Sequence, residues 1–245
     1  MLFTVDIGNT TVAIAGLEGE RVAFVKKLPS DPGLNWPAAL RQLLEGVEAQ
    51  GAILSSVVPA LTGPVGEGLK AITGKPVLVV DKTTPTGLDL SGYDTANLGM
   101  DRVVDCVAAL AMYTPPVAVF DMGTATTLSV VDRGGVFRGG MILPGLALGL
   151  EALSARAAQL PPITLSQPEG LLGTDTVSCM KYGALYGAAG AIEGIVRRLE
   201  EELGGLTVVL TGGNSTLVRP LLGIPTVWEP HLTFLGLGEI WKGNN

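Results

Sequence analysis

Apolar positions along this chain come in short blocks, punctuated by glycine, proline and hydroxyl residues, and the blocks alternate between two periods. Leu2-Phe3-Thr4-Val5-Asp6-Ile7-Gly8-Asn9-Thr10-Thr11-Val12 reads as strand, tight turn, strand. A further strand is expected near Val22 to Lys26, a helix near Trp36 to Val47 and a strand at Ala52 to Ser56. A helix around Leu61 to Ile72 then leads to a strand at Val77 to Val80. In the second half, strands near Thr126 to Val131 and Val136 to Ile142 precede long helical patterns at Leu146 to Leu160 and Thr176 to Leu203. Strand Thr207 to Thr211, a short helix, strand Thr226 to Trp228 and a terminal helix close the chain. Each half reads βββαβαβα with minor variation, an α/β arrangement of one mixed sheet flanked by helices.

The halves also resemble each other residue by residue. Val117-Ala118-Val119-Phe120-Asp121-Met122-Gly123-Thr124-Ala125-Thr126-Thr127 repeats the opening hairpin. Asp6 maps to Asp121, Gly8 to Gly123 and Thr11 to Thr126, each 115 residues on, close to half of the 245-residue chain. Two similar domains follow, residues 1–114 and 115–245, divided where Tyr113-Thr114-Pro115-Pro116 stops a helix.

Composition narrows the class. Hydrophobic residues make up 47% and charged residues only 16%, which provides core material and excludes wholesale disorder. No stretch approaches the ~20 uninterrupted apolar residues of a bilayer span. The first residues carry no basic stretch and meet Asp6 at once, so a secretory leader is not expected. Lys and Arg number 16 against 23 Asp and Glu, a formal charge of −7 that argues against a nucleic-acid partner. A nucleotide substrate stays open, because Mg²⁺ and backbone N–H groups hold phosphate without many lysines. Cys106 and Cys179 lie in apolar-periodic segments and read as reduced, buried thiols of a cytoplasmic protein. The one histidine, His231, reads as a loop residue and leaves little material for a His-based zinc site or a Ser-His-Asp triad.

A strand that ends in Asp, then Gly, then hydroxyl residues has a direct chemical use. The carboxylate can bind a hydrated Mg²⁺ or orient a terminal phosphate, while Gly8 and Gly123 let backbone come close. Thr10, Thr11, Thr124 and Thr126 add hydroxyl donors. Two such hairpins facing across a cleft would bracket a triphosphate. Val208-Val209-Leu210-Thr211-Gly212-Gly213-Asn214 adds a buried-looking strand that ends in paired glycines. Those glycines either admit a purine or ribose or make a strand-to-helix turn capped by Asn214 or Ser215. Neither a P-loop nor a Gly-x-Gly-x-x-Gly fingerprint is present. Asp101 opens a helix whose Val103, Val104, Val107 and Leu110 face the core. It is either a general base aimed into a cleft, or a complement to the helix N-terminus with Arg102 and Asp105 paired on the surface.

Two Asp-x-Gly turns and a Thr-Gly-Gly strand end resemble the phosphate and adenosine motifs of the acetate and sugar kinase/Hsp70/actin superfamily. Within it, the chain resembles type III pantothenate kinase. The likeness rests on Asp6-Ile7-Gly8-Asn9-Thr10, Gly99-Met100-Asp101-Arg102, Asp121-Met122-Gly123-Thr124-Ala125-Thr126-Thr127, Gly139-Gly140-Met141-Ile142-Leu143-Pro144-Gly145 and Thr174-Asp175-Thr176-Val177-Ser178, in family order. The loop Gly92-Tyr93-Asp94-Thr95-Ala96-Asn97-Leu98-Gly99 departs from the pattern: it lacks the proline that usually follows the tyrosine, and is one residue shorter.

The resemblance implies duplicated actin-like (ribonuclease H-like) domains with a nucleotide cleft between them. The implied reaction is ATP-dependent phosphorylation of pantothenate to 4′-phosphopantothenate, the first step of coenzyme A synthesis. Asp6, with Gly8, Asn9, Thr10 and Thr11, would hold the Mg²⁺–γ-phosphate end of ATP, with Thr124, Gly212 and Gly213 also contacting the nucleotide. Asp121 would hold a monovalent cation, potassium or ammonium. Asp101 would be the general base, and Tyr93, Gly99, Met100, Asp101 and Arg102 would bind pantothenate. Thr176 would complete that pocket from the partner of a homodimer. A non-catalytic, transcription-accessory relative of this fold and a kinase of another small alcohol are the alternatives. Asp6, Asp101, Arg102 and Asp121 occurring together argue for the pantothenate kinase, because a binding module has little need for the base.

Overall fold

The computed structural model describes all 245 residues. The chain divides into two compact units, Met1–Met112 together with His231–Asn245, and Tyr113–Pro230.

The first unit begins with a three-stranded meander, β1 (Leu2–Ile7), β2 (Thr11–Glu18) and β3 (Arg21–Pro29). It continues through α1 (Trp36–Leu43), β4 (Ala52–Ser56), α2 (Pro59–Thr73), β5 (Val77–Val79) and α3 (Met100–Met112). The strands lie in the order β3-β2-β1-β4-β5, with β1, β2 and β3 antiparallel and β4 and β5 parallel to β1. Side chains alternate across this sheet. Phe3, Val5, Ile7, Val12, Ile14 and Leu54 pack with Trp36 and Leu40 of α1 and Leu61, Val65 and Leu69 of α2. Ile53 points to the opposite face, where Val80 and Val104 meet Leu237 and Ile240 of the terminal helix α7 (Leu232–Asn244). Covered on both faces, β4 is nearly continuously buried.

The second unit repeats the plan. Strands β6 (Val117–Met122), β7 (Ala125–Val131) and β8 (Phe137–Pro144) form its meander. Helices α4 (Leu146–Arg156) and α5 (Thr176–Leu203), strand β9 (Thr207–Thr211), helix α6 (Ser215–Val218) and strand β10 (Val227–Trp228) follow. Read from its β8 edge, the sheet runs β8-β7-β6-β9-β10, the strand order of the first unit. Phe120, Met122, Leu128, Val130 and Leu210 pack against Leu185, Ala189, Ile192 and Val196 of α5.

Helix limits follow local chemistry. In α1 the Asn35 side chain accepts from Ala38 N–H at 3.2 Å, and the helix ends short of the expected Val47 because Gly46 turns at φ 74°. Helix α4 stops at Arg156 although its leucine and alanine pattern runs on to Leu160; Ala157 is already extended, its N–H still donating to the Leu153 carbonyl at 3.0 Å. Asp175 and Ser178 form a reciprocal capping box at the start of α5.

Two expectations need correction. Residues 115–245 were expected to form one domain, but α7 belongs with the first unit. Gly236 lies so close to the Val104 carbonyl, and Gly238 to Leu17, that a side chain at either position would collide. The buried face of α7 then completes the cluster around Ile53. Its apolar periodicity reveals such a face but not which sheet receives it. The second correction concerns the thiols. Both are free and Cys106 is buried, but Cys179 is exposed in the first turn of α5. His231 is the residue just before α7.

Candidate active site

Asp6 is the penultimate residue of β1 and sits half-buried at the carboxyl end of the central strand. The hairpin beyond it is closed by Gly8 N–H donating to the Thr11 carbonyl at 3.0 Å. The end of β3 braces it from the side: the Ser30 hydroxyl donates to the Gly8 carbonyl at 2.6 Å, and Ser30 N–H to the Thr10 carbonyl at 3.0 Å. Asn9, Thr10 and Thr11 are exposed at the tip. Beside Asp6 in register lies Ser55 of β4, fully buried, its hydroxyl without a hydrogen-bond partner.

The other polar group of this unit gathers at the start of α3. The Asp101 carboxylate accepts Arg102 N–H at 2.9 Å, and Gly99 leaves the room that it occupies, since a Cβ there would strike it. Burial pushes the Asp101 carboxyl above its ordinary value of 3.8, partly opposed by the Arg102 N–H bond and the Arg102 charge. Arg102 is itself buried, with its guanidinium 6.0 Å from the Tyr93 ring centroid. Tyr93 is placed by a loop turn in which its N–H donates to the Leu90 carbonyl at 3.1 Å. Asp94 caps the 3-10 turn Thr95–Asn97 that leads to Gly99. Arg102 and Asp105 are therefore not a surface pair, because both are buried.

In the second unit Asp121 occupies the position of Asp6, penultimate in β6. Gly123 N–H donates to the Ala125 carbonyl at 2.9 Å, and Met122 pairs with Thr126. In the first hairpin Gly8 N–H reaches Thr11 and Ile7 pairs with Val12, so the second turn is one residue shorter. Ala125, not Thr126, is thus the register equivalent of Thr11. Thr126 is buried within the sheet, and Thr124 is the exposed hydroxyl of the turn.

The glycines after β9 serve this hairpin directly. Gly212 has φ 82° and lies against Asp121, where a Cβ would meet the carboxylate and the Met122 backbone. The Asn214 side chain caps nothing in α6. It donates to the Gly123 carbonyl at 3.1 Å, while Asn214 N–H donates to the Met122 carbonyl at 3.0 Å. From the other side Gly145 abuts the Gly123 and Thr124 carbonyls, leaving no space for a side chain. Thr176 is exposed as the first residue of α5.

Residues 2–198 match the family model of type III pantothenate kinase. A curated type III pantothenate kinase of Moorella thermoacetica is 36% identical over the full length of both chains. The chain belongs to the type III pantothenate kinase family. Among solved structures, a putative Baf family transcriptional activator of Campylobacter jejuni superposes with TM-score 0.64 at 20% identity, covering 99% of this chain and 98% of that one. MreB 5 of Spiroplasma citri, an AMPPNP complex, does so with TM-score 0.55 at 10% identity, covering 99% and 96%. The fold is accordingly actin-like, with two mixed five-stranded sheets.

Set against the family motifs, the first unit brings Asp101 and Arg102 together with Tyr93 and Gly99, and holds Asp6 at its own strand end. The second unit brings Asp121 together with Gly212 and the Gly123 turn. Sequence reasoning missed Ser55, read Asn214 only as a possible helix cap and named Gly145 only as part of a motif. The available signal for Ser55 was two serines closing the otherwise apolar run of β4. The other two depend on chain segments that come together only in the folded sheet.

The raised Asp101 carboxyl has a thermodynamic consequence. Between pH 3.8 and its folded value, the native state binds this proton more readily than the unfolded chain. The Asp101 contribution to stability therefore falls as pH rises through that window. Asp101→Asn removes a disfavoured charge, so its melting temperature at neutral pH should equal or exceed wild type. The difference should vanish near the ordinary carboxyl value, where Asp101 is protonated. Calorimetric melting at both pH values checks this, and a lower neutral-pH melting temperature for the variant would contradict it.

Proposed function

We propose a division of labour among these residues for the pantothenate kinase activity that family membership gives this chain. Phosphoryl transfer asks a protein chiefly for positioning and charge neutralisation. Asp6 and the exposed Asn9, Thr10 and Thr11, with Gly8 admitting close approach, receive the Mg²⁺-bearing phosphates of ATP. The donor set fits that ion: oxygen ligands only, and no cluster of three or more His, Cys, Asp or Glu side chains that would cage a metal alone. Thr124, Gly212 and Gly213 supply further nucleotide contacts.

Pantothenate presents a carboxylate at one end and a primary hydroxyl at the other. Arg102 engages the carboxylate, helped by the Gly99 and Met100 backbone, while the Tyr93 ring stacked near its guanidinium covers the small substrate. Asp101 accepts the hydroxyl proton as the oxygen attacks the γ-phosphorus. The bond from phosphorus to the β–γ bridging oxygen breaks, ADP leaves, and 4′-phosphopantothenate carries the new ester. The observation that carries this reading is Asp101 held at a helix start beside a buried arginine, with its basicity raised by burial.

We assign Asp121 a monovalent cation from the family likeness; its carboxylate stands at the end of β6, where the Gly212 backbone approaches too closely for a side chain. A bound potassium or ammonium ion would supply positive charge there.

The homodimer reading draws support from exposed apolar side chains in the second unit. Ile142, Leu148, Leu153, Leu171, Leu172 and Val177 are all exposed, on β8, α4, the following loop and the first turn of α5. An apolar cavity of about 610 Å³ lies between α4 and α5. Thr176 is exposed next to Val177, and in this reading it completes a partner's pantothenate pocket. No helix is long and apolar enough to cross a membrane. With two free thiols, the enzyme fits the reducing cytoplasm.

In an ADP-release assay with a panel of small alcohols, pantothenate should be the productive acceptor, and Asp101→Asn should lower kcat by about 10²–10⁴-fold while ATP affinity is kept. Near-normal turnover in that variant removes the base assignment. Exchange of potassium for sodium should depress the wild-type rate, and full activity in sodium alone would argue against the Asp121 role. Sedimentation velocity should give twice the chain mass, reverting to a monomer in Leu172→Glu with Ile142→Glu; a monomeric wild type would end the dimer reading.

A further inference from the structure

Asp105 has no role in the scheme above, yet it is a carboxylate with only 3% of its surface exposed. An acid held that far from water is retained only where it is well partnered. One of its partners is the Thr233 hydroxyl, which donates to Oδ1 at 2.7 Å. Thr233 is the second residue of α7, a helix whose first turn contains no acid and whose preceding His231 makes no side-chain cap. Asp105 thus brings negative charge to the positive end of α7 from a neighbouring helix. One residue earlier, the Val104 carbonyl lies against Gly236 so closely that only glycine fits. Hydroxyl-to-carboxylate and backbone-to-backbone contacts together join the first two turns of α7 to the second turn of α3.

The location of this joint matters. Asp105 follows Asp101 by four residues and Arg102 by three, one helical turn along the same helix. The preceding residues Pro230 and His231 mark the point where the chain re-enters the first unit. We propose that Asp105 is a positioning residue, which through Thr233 locks the opening turn of α3 so that Asp101 and Arg102 meet pantothenate in a single geometry. The proposal rests on the pantothenate-side roles given above to Asp101 and Arg102. It goes beyond them in assigning their alignment to a contact with the terminal helix, which carries no family motif.

Three variants test it in the full-length enzyme. Thr233→Val removes the hydroxyl and keeps the shape, Thr233→Ser keeps the hydroxyl, and Asp105→Asn removes the charge. Thr233→Val and Asp105→Asn should each lower kcat/KM for pantothenate about tenfold, with KM for ATP within about twofold of wild type. Thr233→Ser should restore the wild-type value, and the double variant should be no worse than the poorer single one, because both act on the same link: valine removes its donor, and asparagine, whose Oδ1 still accepts, removes its charge. Equal losses toward both substrates, or a lower melting temperature with kcat/KM unchanged, would overturn the proposal and leave a purely structural contact. Should Asp105→Asn fail to fold, the valine and serine pair at Thr233 decides alone. Pantothenate affinity measured calorimetrically, without turnover, separates the two layers. An active Asp101→Asn would remove the base assignment, whereas unchanged pantothenate affinity in Thr233→Val would remove the positioning of Arg102.

Discussion

Each half of this molecule depends on keeping a carboxylate at the carboxyl end of a central strand while backbone packs tightly around it. Asp6 sits between β2 and β4, and Asp121 between β7 and β9. A strand flanked on both sides has its backbone hydrogen bonds satisfied, which makes its end a rigid platform. The side chain can then be aimed by register alone. What remains is steric, because the crossing segments have to turn within van der Waals distance of the acid. Gly212 against Asp121 and Gly145 against the Gly123 turn are the positions where that demand excludes any side chain. Gly8 is less constrained, since a Cβ there would sit 3.4 Å from the Thr11 carbonyl, in ordinary contact.

The two units share a strand order but no longer share a turn. With one residue fewer between β6 and β7, residues matched at the 115-residue offset fall on opposite faces, and Thr126 takes the place of Val12 rather than that of Thr11. Thr126 turns inward beside Met122 for that reason, and Thr124 is left to present a hydroxyl. The first turn, one residue longer, exposes Asn9, Thr10 and Thr11 together. A longer, more polar loop thus closes one platform and a tight, glycine-buttressed one the other, a difference in keeping with the two different ligands proposed for them.

Much of this was readable from residue pattern. The hairpins, the strand ends bearing Asp6 and Asp121 and the helix opening at Asp101 follow from local periodicity and turn chemistry, which act over a few residues. The family motifs fixed the chemistry more sharply than periodicity could. Errors arose where distant segments decide the outcome. Nothing near Leu237 and Ile240 tells which sheet they cover, and the 115-residue offset of Thr11 and Thr126 conceals a register that only strand pairing reveals. Arg102 and Asp105 looked like a surface pair because an i,i+3 spacing of opposite charges is most often solvated. Both are buried, and Asp105 meets Thr233 of α7, which arrives more than a hundred residues later.

That burial ties reactivity to stability on one helix. An acid at the start of α3, removed from water, becomes a better proton acceptor because its charged form is disfavoured, and the folded state bears the same penalty. Arg102 relieves it in part, through its backbone N–H and its charge. A stronger pull from that guanidinium would lower the basicity that burial creates, so the two effects oppose each other on one carboxylate. The helix that carries the pair is held by the close approach of Gly236 to the Val104 carbonyl and by the cluster of Ile53, Val80 and Val104 with Leu237 and Ile240. The terminal helix bears none of the residues proposed to react, yet it packs directly on the helix that bears Asp101 and Arg102.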